Sequence, residues 1–194
     1  MNKPRLYGSA SLHVDENLVP LEDNIIRKVK PLTLYNTIIQ TIVPGHTYLF
    51  NRALLDMIPD DITENDIYFY DGFVLNAAVM TGSLVYDGRR HANYRQHSGN
   101  IMGNQKNIFR WVRLRLKRLK KGDSKKYAKQ IEYLYEIYGD YLPDDKRIEL
   151  YKFLASRKSF LTRLIYIRKT KLYRQTRSQT FMFKLLYLLR GYNT

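Results

Sequence analysis

The sequence predicts a mixed α/β unit over residues 1–106, followed by an all-helical, basic region over residues 107–194. Three observations carry that division. Before residue 106 the apolar residues fall in short alternating or small-residue runs broken by turn signals, whereas after it they recur at three- and four-residue spacing. The charge changes at the same place: there are 10 Lys+Arg against 11 Asp+Glu through Lys106 and 23 against 7 from Asn107 onward, so the net charge of +15 belongs to the second half. At the junction, Tyr94-Arg95-Gln96-His97-Ser98-Gly99-Asn100 gathers a phenol, a fixed cation, two amides, an imidazole and a hydroxyl. That is the composition of a site.

Residues 6–21 alternate imperfectly and end in Asp15-Glu16-Asn17 and Leu18-Val19-Pro20, which reads as a strand, a polar turn and an extended exit. A short helix is expected over 34–41, where Leu34, Ile38 and Ile39 share a face. Pro44-Gly45 marks a break before a strand over 46–50, and 51–56 forms a helical turn closed before Pro59. After the acidic loop 60–66, Tyr70 and Asp71 open a small-residue helix over 73–81 that stops at Gly82. Asp71 stands where an N-cap residue would. A strand over 83–86, the Asp87-Gly88 turn and a second strand or extended segment over 91–96 complete this part.

In the second part, Ile108, Trp111 or Val112, Leu116 and Leu119 form an apolar stripe on a helix otherwise covered by Lys and Arg through Lys121. Further helices are expected over 125–138, from Pro143 to residue 155, over 156–173, and over 181–189, the last apolar almost all round.

With no cysteine the chain has neither disulfides nor thiolate metal sites, and no apolar run nears the roughly 20 residues that span a bilayer. These features fit a cytoplasmic protein held peripherally on the inner face of a membrane. The basic helix at 107–121 and the C-terminal helices suit an anionic membrane surface better than a merely solvated face. Nucleic acid ranks last, because charge alone supports it and no binding module accompanies it. Taken singly, Asp71 is more simply a helix cap than a catalyst, and His97, His46 and His91 are more simply surface or hydrogen-bonded histidines than ligands.

Their joint context changes the weighting. Pro44-Gly45-His46-Thr47-Tyr48-Leu49-Phe50-Asn51-Arg52, then Tyr70-Asp71, then Tyr86, then the segment from Tyr94 to Asn100 with Gly103 after it, resemble the downstream half of an inverting family 2 glycosyltransferase. The likeness is to rhamnosyltransferase-like members that build surface polysaccharides, and it covers residues 5–106. It implies a partial GT-A-like mixed sheet and transfer of a sugar, rhamnose or another hexose, from a nucleotide-sugar donor to a polysaccharide or lipid-linked saccharide acceptor. Asp71 matches the catalytic aspartate, which takes the acceptor proton. Arg95 and His97 match positions near the donor diphosphate, His97 also near its manganese or magnesium. Gly45, His46, Thr47, Tyr70, Tyr94 and Gln96 match the walls of the substrate cleft.

Two departures stand out. Tyr70 and Gly72 flank Asp71 where the family often has His and an aromatic. The sequence also contains no Asp-x-Asp, the motif that binds the divalent metal in this fold. The resemblance therefore implies a truncated or split enzyme, inactive without a complementing nucleotide-binding half. Its rivals are a non-catalytic membrane-surface or protein-binding remnant of such an enzyme and, third, a basic nucleic-acid-binding protein.

Overall fold

The computed structural model describes residues 3–21, 28–63, 66–96, 123–189 and 192. Within these, strand β1 (Arg5–Val14) lies between β2 (Leu49–Phe50) and β3 (Ser83–Arg95), antiparallel to β2 and parallel to β3. Helices α1 (Leu34–Thr37), α2 (Arg52–Leu55) and α3 (Tyr70–Thr81) fill the connection from β1 to β3. Helices α4 (Asp123–Tyr138), α5 (Asp144–Ala155), α6 (Phe160–Lys169) and α7 (Arg177–Leu188) follow. The molecule is thus mixed α/β, with a small sheet and a helical second part. The basic helix expected over 107–121 lies outside the described residues.

Helix α3 is the element on which α1, the 3-10 turn Gly45–Thr47, the long strands β1 and β3 and helix α4 all pack. Gly72, Phe73, Leu75, Asn76, Ala77, Ala78 and Met80 are all buried, more than one face of a helix. A small-residue helix buried this fully has no amphipathic pattern to read. It ends at Gly82, where a Cβ would collide with the carbonyl of Pro4, so only glycine lets the chain turn directly into β3. Ser83 N–H then donates to the same Pro4 carbonyl at 3.1 Å, starting the parallel pairing.

Three local expectations are corrected. The Asp87-Gly88 pair does not turn the chain: residues 83–95 are one strand, whose register against β1 slips between Ser9 and Ala10 and again between Ala10 and Ser11. Bulges absorb the extra residues, and Asp87 anchors the first by accepting from Tyr7 Oη at 3.0 Å and from Arg89 Nη2 at 2.8 Å. Residues 46–47 are not strand but part of a 3-10 turn, Gly45–Thr47, because Thr47 Oγ1 lies 2.8 Å from the Pro44 carbonyl and bonds the Ser9 backbone. Asp71 is not the N-cap of α3. That position is Phe69, and Asp71 sits in the first turn.

The helical region is bound to the sheet side by polar ties as well as by a hydrophobic cluster that runs from Leu6 to Tyr192. Gln130 of α4 accepts from the N–H groups of Tyr68 and Phe69 at 2.8 and 3.0 Å. Gln175, fully buried before α7, donates to Asn36 Oδ1 and accepts from the N–H groups of Val29 and Lys30. Around Phe153 the rings of Tyr166, Tyr187 and Tyr192 pack at 6.2, 5.1 and 5.9 Å. Several of the many tyrosines therefore serve as core residues whose hydroxyls find partners, as Tyr166 does on Glu149 at 2.8 Å.

Candidate functional site

Three sequence-distant segments meet where β1, the 3-10 turn and the start of α3 come together. The turn lies so close to α3 that a Cβ on Gly45 would stand 2.7 Å from Asp71 Cβ and 3.1 Å from the Tyr70 hydroxyl. Any side chain there would push the turn off the helix. Tyr48 ties the same two elements: its hydroxyl lies 3.1 Å from the Val43 carbonyl and 3.2 Å from that of Asp71. Burial, with the nearby Asp71 and Tyr70, pushes the Tyr48 phenol far above its ordinary range, so it stays a neutral donor.

Next to Gly45, the His46 ring stacks on Tyr94 with centroids 5.1 Å apart and planes 8° from parallel. His13 lies against Tyr94 from β1 at 5.3 Å, tilted by 46°, and pairs with it across the strands. Partial burial lowers the affinity of His13 for a proton, with smaller contributions from His46 and Arg90, and burial does the same for His46. Both imidazoles are therefore neutral near pH 7, which lets them pack on a ring face without a buried charge.

Asp71 is half-buried, and its Oδ1 accepts from Gly72 N–H at 2.7 Å. It stands in the first turn of α3. Gln130 holds the two residues just before α3 and so fixes the direction from which Asp71 is presented.

The expected site residues thus divide. Gly45, Tyr70 and Asp71 are in mutual contact, and His46 and Tyr94 are stacked beside them. Thr47 faces the other way, into the Ser9 backbone, with a structural role. Arg95 is exposed at the end of β3, opposite Val14. Gln96 continues the pairing through its N–H to the Val14 carbonyl at 2.7 Å, and its Nε2 is buried without a hydrogen-bond partner among the described residues. His97 lies outside the described residues.

Sequence reasoning missed His13 and the bridging role of Tyr48. A signal for His13 existed: Tyr7, Ser9, Ser11 and His13 alternate along β1, and a polar set at period two marks one face of a strand. Nothing local to Tyr48 announces its partner 23 residues away.

A cavity of about 440 Å³ lies elsewhere, lined by Lys28, Lys30, Pro31, Leu84 and Tyr86, and includes none of these residues. As for the expected divalent metal, no three His, Asp or Glu side chains come together as a ligand set among the described residues. Asp71, His46 and His13 offer no donor set for it. Comparison with protein-family models, with curated proteins and with solved structures gives no match for this chain.

Proposed function

We propose that this chain supplies the acceptor side of an inverting glycosyltransferase that moves a sugar from a nucleotide-sugar to a surface-polysaccharide or lipid-linked saccharide acceptor. The observation that carries this reading is the approach of Gly45 to Asp71, with His46 and Tyr94 stacked alongside. Gly45, His46, Tyr48, Tyr70, Asp71 and Tyr94 fall within the segments 44–52, 70–71 and 94–100 on which, with Tyr86 and Gly103, the resemblance to family 2 glycosyltransferases rests.

In this reading Asp71 accepts the proton of the acceptor hydroxyl as its oxygen attacks the anomeric carbon, and the bond to the donor phosphate breaks on the opposite face. One new carbon–oxygen bond replaces one lost, the configuration inverts, and the nucleotide diphosphate carries off the electron pair. His46 and Tyr94 border the acceptor, and Tyr48 keeps the 3-10 turn against Asp71. The sequence has no Asp-x-Asp, so the reading assigns the nucleotide and its manganese or magnesium to a complementing segment.

The test supplies that segment from a full-length family 2 transferase and follows labelled sugar into a lipid-linked acceptor. Asp71→Asn is expected to lower transfer by about 100-fold or more, the usual worth of a general base, with the melting temperature unchanged. Full transfer by Asp71→Asn makes Asp71 a structural residue, and robust transfer without the added segment removes the need for a partner.

A further inference from the structure

We infer that the α6–α7 hairpin is a membrane-surface docking element that lays an apolar stripe into an anionic lipid leaflet. The inference stands on its own observations and does not depend on the transferase reading.

The inner faces of the hairpin are fully used. Arg163 and Tyr166 of α6 and Phe183, Leu186 and Tyr187 of α7 are buried around Phe153. The opposite faces remain apolar. On α6, Leu161 and Ile165 stand one turn apart and are 64% and 50% exposed, with Phe160 beside them at 54%. On α7, Phe181 is 67% exposed and Leu185 at the next turn 37%, and Leu189, just past the end of the helix, is 66% exposed. A globular domain scatters single exposed apolar residues, but two helices that each expose a stripe at four-residue spacing call for a cover.

The antiparallel packing sorts these residues. Arg163 Nε donates to the Leu188 carbonyl at 3.1 Å, which sets the start of α6 beside the end of α7. One end of the hairpin therefore collects Phe160, Leu161, Leu185 and Leu189. The other end, at the connection between the helices, carries the exposed cations Arg168, Lys169 and Arg177. Residues 156–189 contain no Asp or Glu at all.

This combination selects the occupant. An anionic lipid surface covers the aliphatic and aromatic stripe with acyl chain and meets the cations with phosphate. Nucleic acid meets only the cations and leaves the stripe in water. A second copy sets cation against cation with no acidic residue in the hairpin to pair them. No helix of the described residues is long and apolar enough to cross a bilayer, so the hairpin lies on the surface. The expected contribution of residues 107–121 lies outside the described residues, and the inference concerns the hairpin alone.

The absence of native cysteine makes the test direct, because a single introduced cysteine takes a polarity-sensitive dye at one place. The full chain is labelled at Ile165→Cys, at Phe181→Cys, or, as a control on α2, at Leu55→Cys. It is then mixed with vesicles of phosphatidylcholine alone or with phosphatidylglycerol. Blue shifts are expected at positions 165 and 181 with the anionic vesicles, weakened by salt, and none at position 55. The variant Leu161→Ser/Ile165→Ser/Phe181→Ser, all at exposed positions, is expected to keep its circular dichroism and lose at least about tenfold in vesicle affinity. Silence of both dyes, an equal shift at position 55, or salt-independent binding to neutral vesicles overturns the inference. So does a dye shift that needs only higher protein concentration, which points to a second copy, or one produced by nucleic acid instead of lipid.

Discussion

The sheet side and the helical side of this protein are held together by opposite means. Around Asp71 and at the start of β3 the elements approach so closely that a side chain is excluded, at Gly45 and at Gly82, and polar groups are placed one by one. Around Phe153 the elements are kept apart by large rings, and buried Arg157 and Arg163 donate to the carbonyls of Leu154 and Leu188, near the ends of α5 and α7. Close approach fixes a geometry to within a fraction of an ångström, whereas bulk packing fixes a volume. The first suits a site and the second suits a support, and Gln130 is where the support reaches the site.

The comparison breaks most severely if bulk is removed from the support. Phe153→Ala is expected to cost about 4 kcal/mol in denaturant unfolding, the usual range for an aromatic lost from a packed core. Adding a single methyl on the sheet side comes next: Gly82→Ala forces a Cβ into the Pro4 backbone and is expected to cost about 3 kcal/mol. The same change at Gly88, where nothing lies within 4 Å of the added carbon, is expected to stay within about 0.5 kcal/mol. Equal losses at Gly82 and Gly88 would mean that close approach to the Pro4 backbone is not what holds the sheet side together.

Gln130→Ala tests the joint between them. It leaves the N–H groups of Tyr68 and Phe69 without their acceptor and is expected to cost about 2 kcal/mol. It should also shift the amide resonance of Gly72, which reports on Asp71. Stability lost with an unmoved Gly72 signal would confine Gln130 to the support.

The smallest effect is in pH. Folding lowers the proton affinity of His13 and His46, so the folded state favours their neutral forms. Their contribution is complete above the unfolded histidine pKa of about 6.5 and declines as the pH falls below it, because the unfolded chain then binds more protons. Thermal melts between neutral and mildly acidic pH should show this decline in the wild type and a flatter profile in His13→Asn. An unchanged profile would mean that folding does not bury the imidazole of His13 as described.

Where the sequence could be read, local chemistry and local structure agreed. Asn51 caps α2 through its side chain, Pro143 precedes α5, and β1 ends at the turn begun by Asp15. Reading failed where a distant partner overrode a local signal. Asp87-Gly88 carries turn chemistry, yet pairing with β1 keeps it in the strand as a bulge. The β-forming His46-Thr47 is wound into a 3-10 turn by Thr47 bonding to Ser9, 38 residues away. Of the candidate site, Asp71, Gly45, His46 and Tyr94 were legible through their motifs, while the placing of His13 against Tyr94 emerges only once β1 and β3 are in register. The exposed stripes of α6 and α7 were not legible: residues 181–189 look apolar almost all round, and which face the core would claim depended on where Phe153 sat.

The measurement closest to the central claim is the solution geometry of the three segments themselves. In nuclear Overhauser spectra of the full chain, the account predicts contacts from the Gly45 α-protons to the Asp71 β-protons and from the His46 ring to the Tyr94 ring, both weakened in Gly45→Val. Absence of both contacts in the wild type would contradict the meeting of these segments, and with it the candidate site.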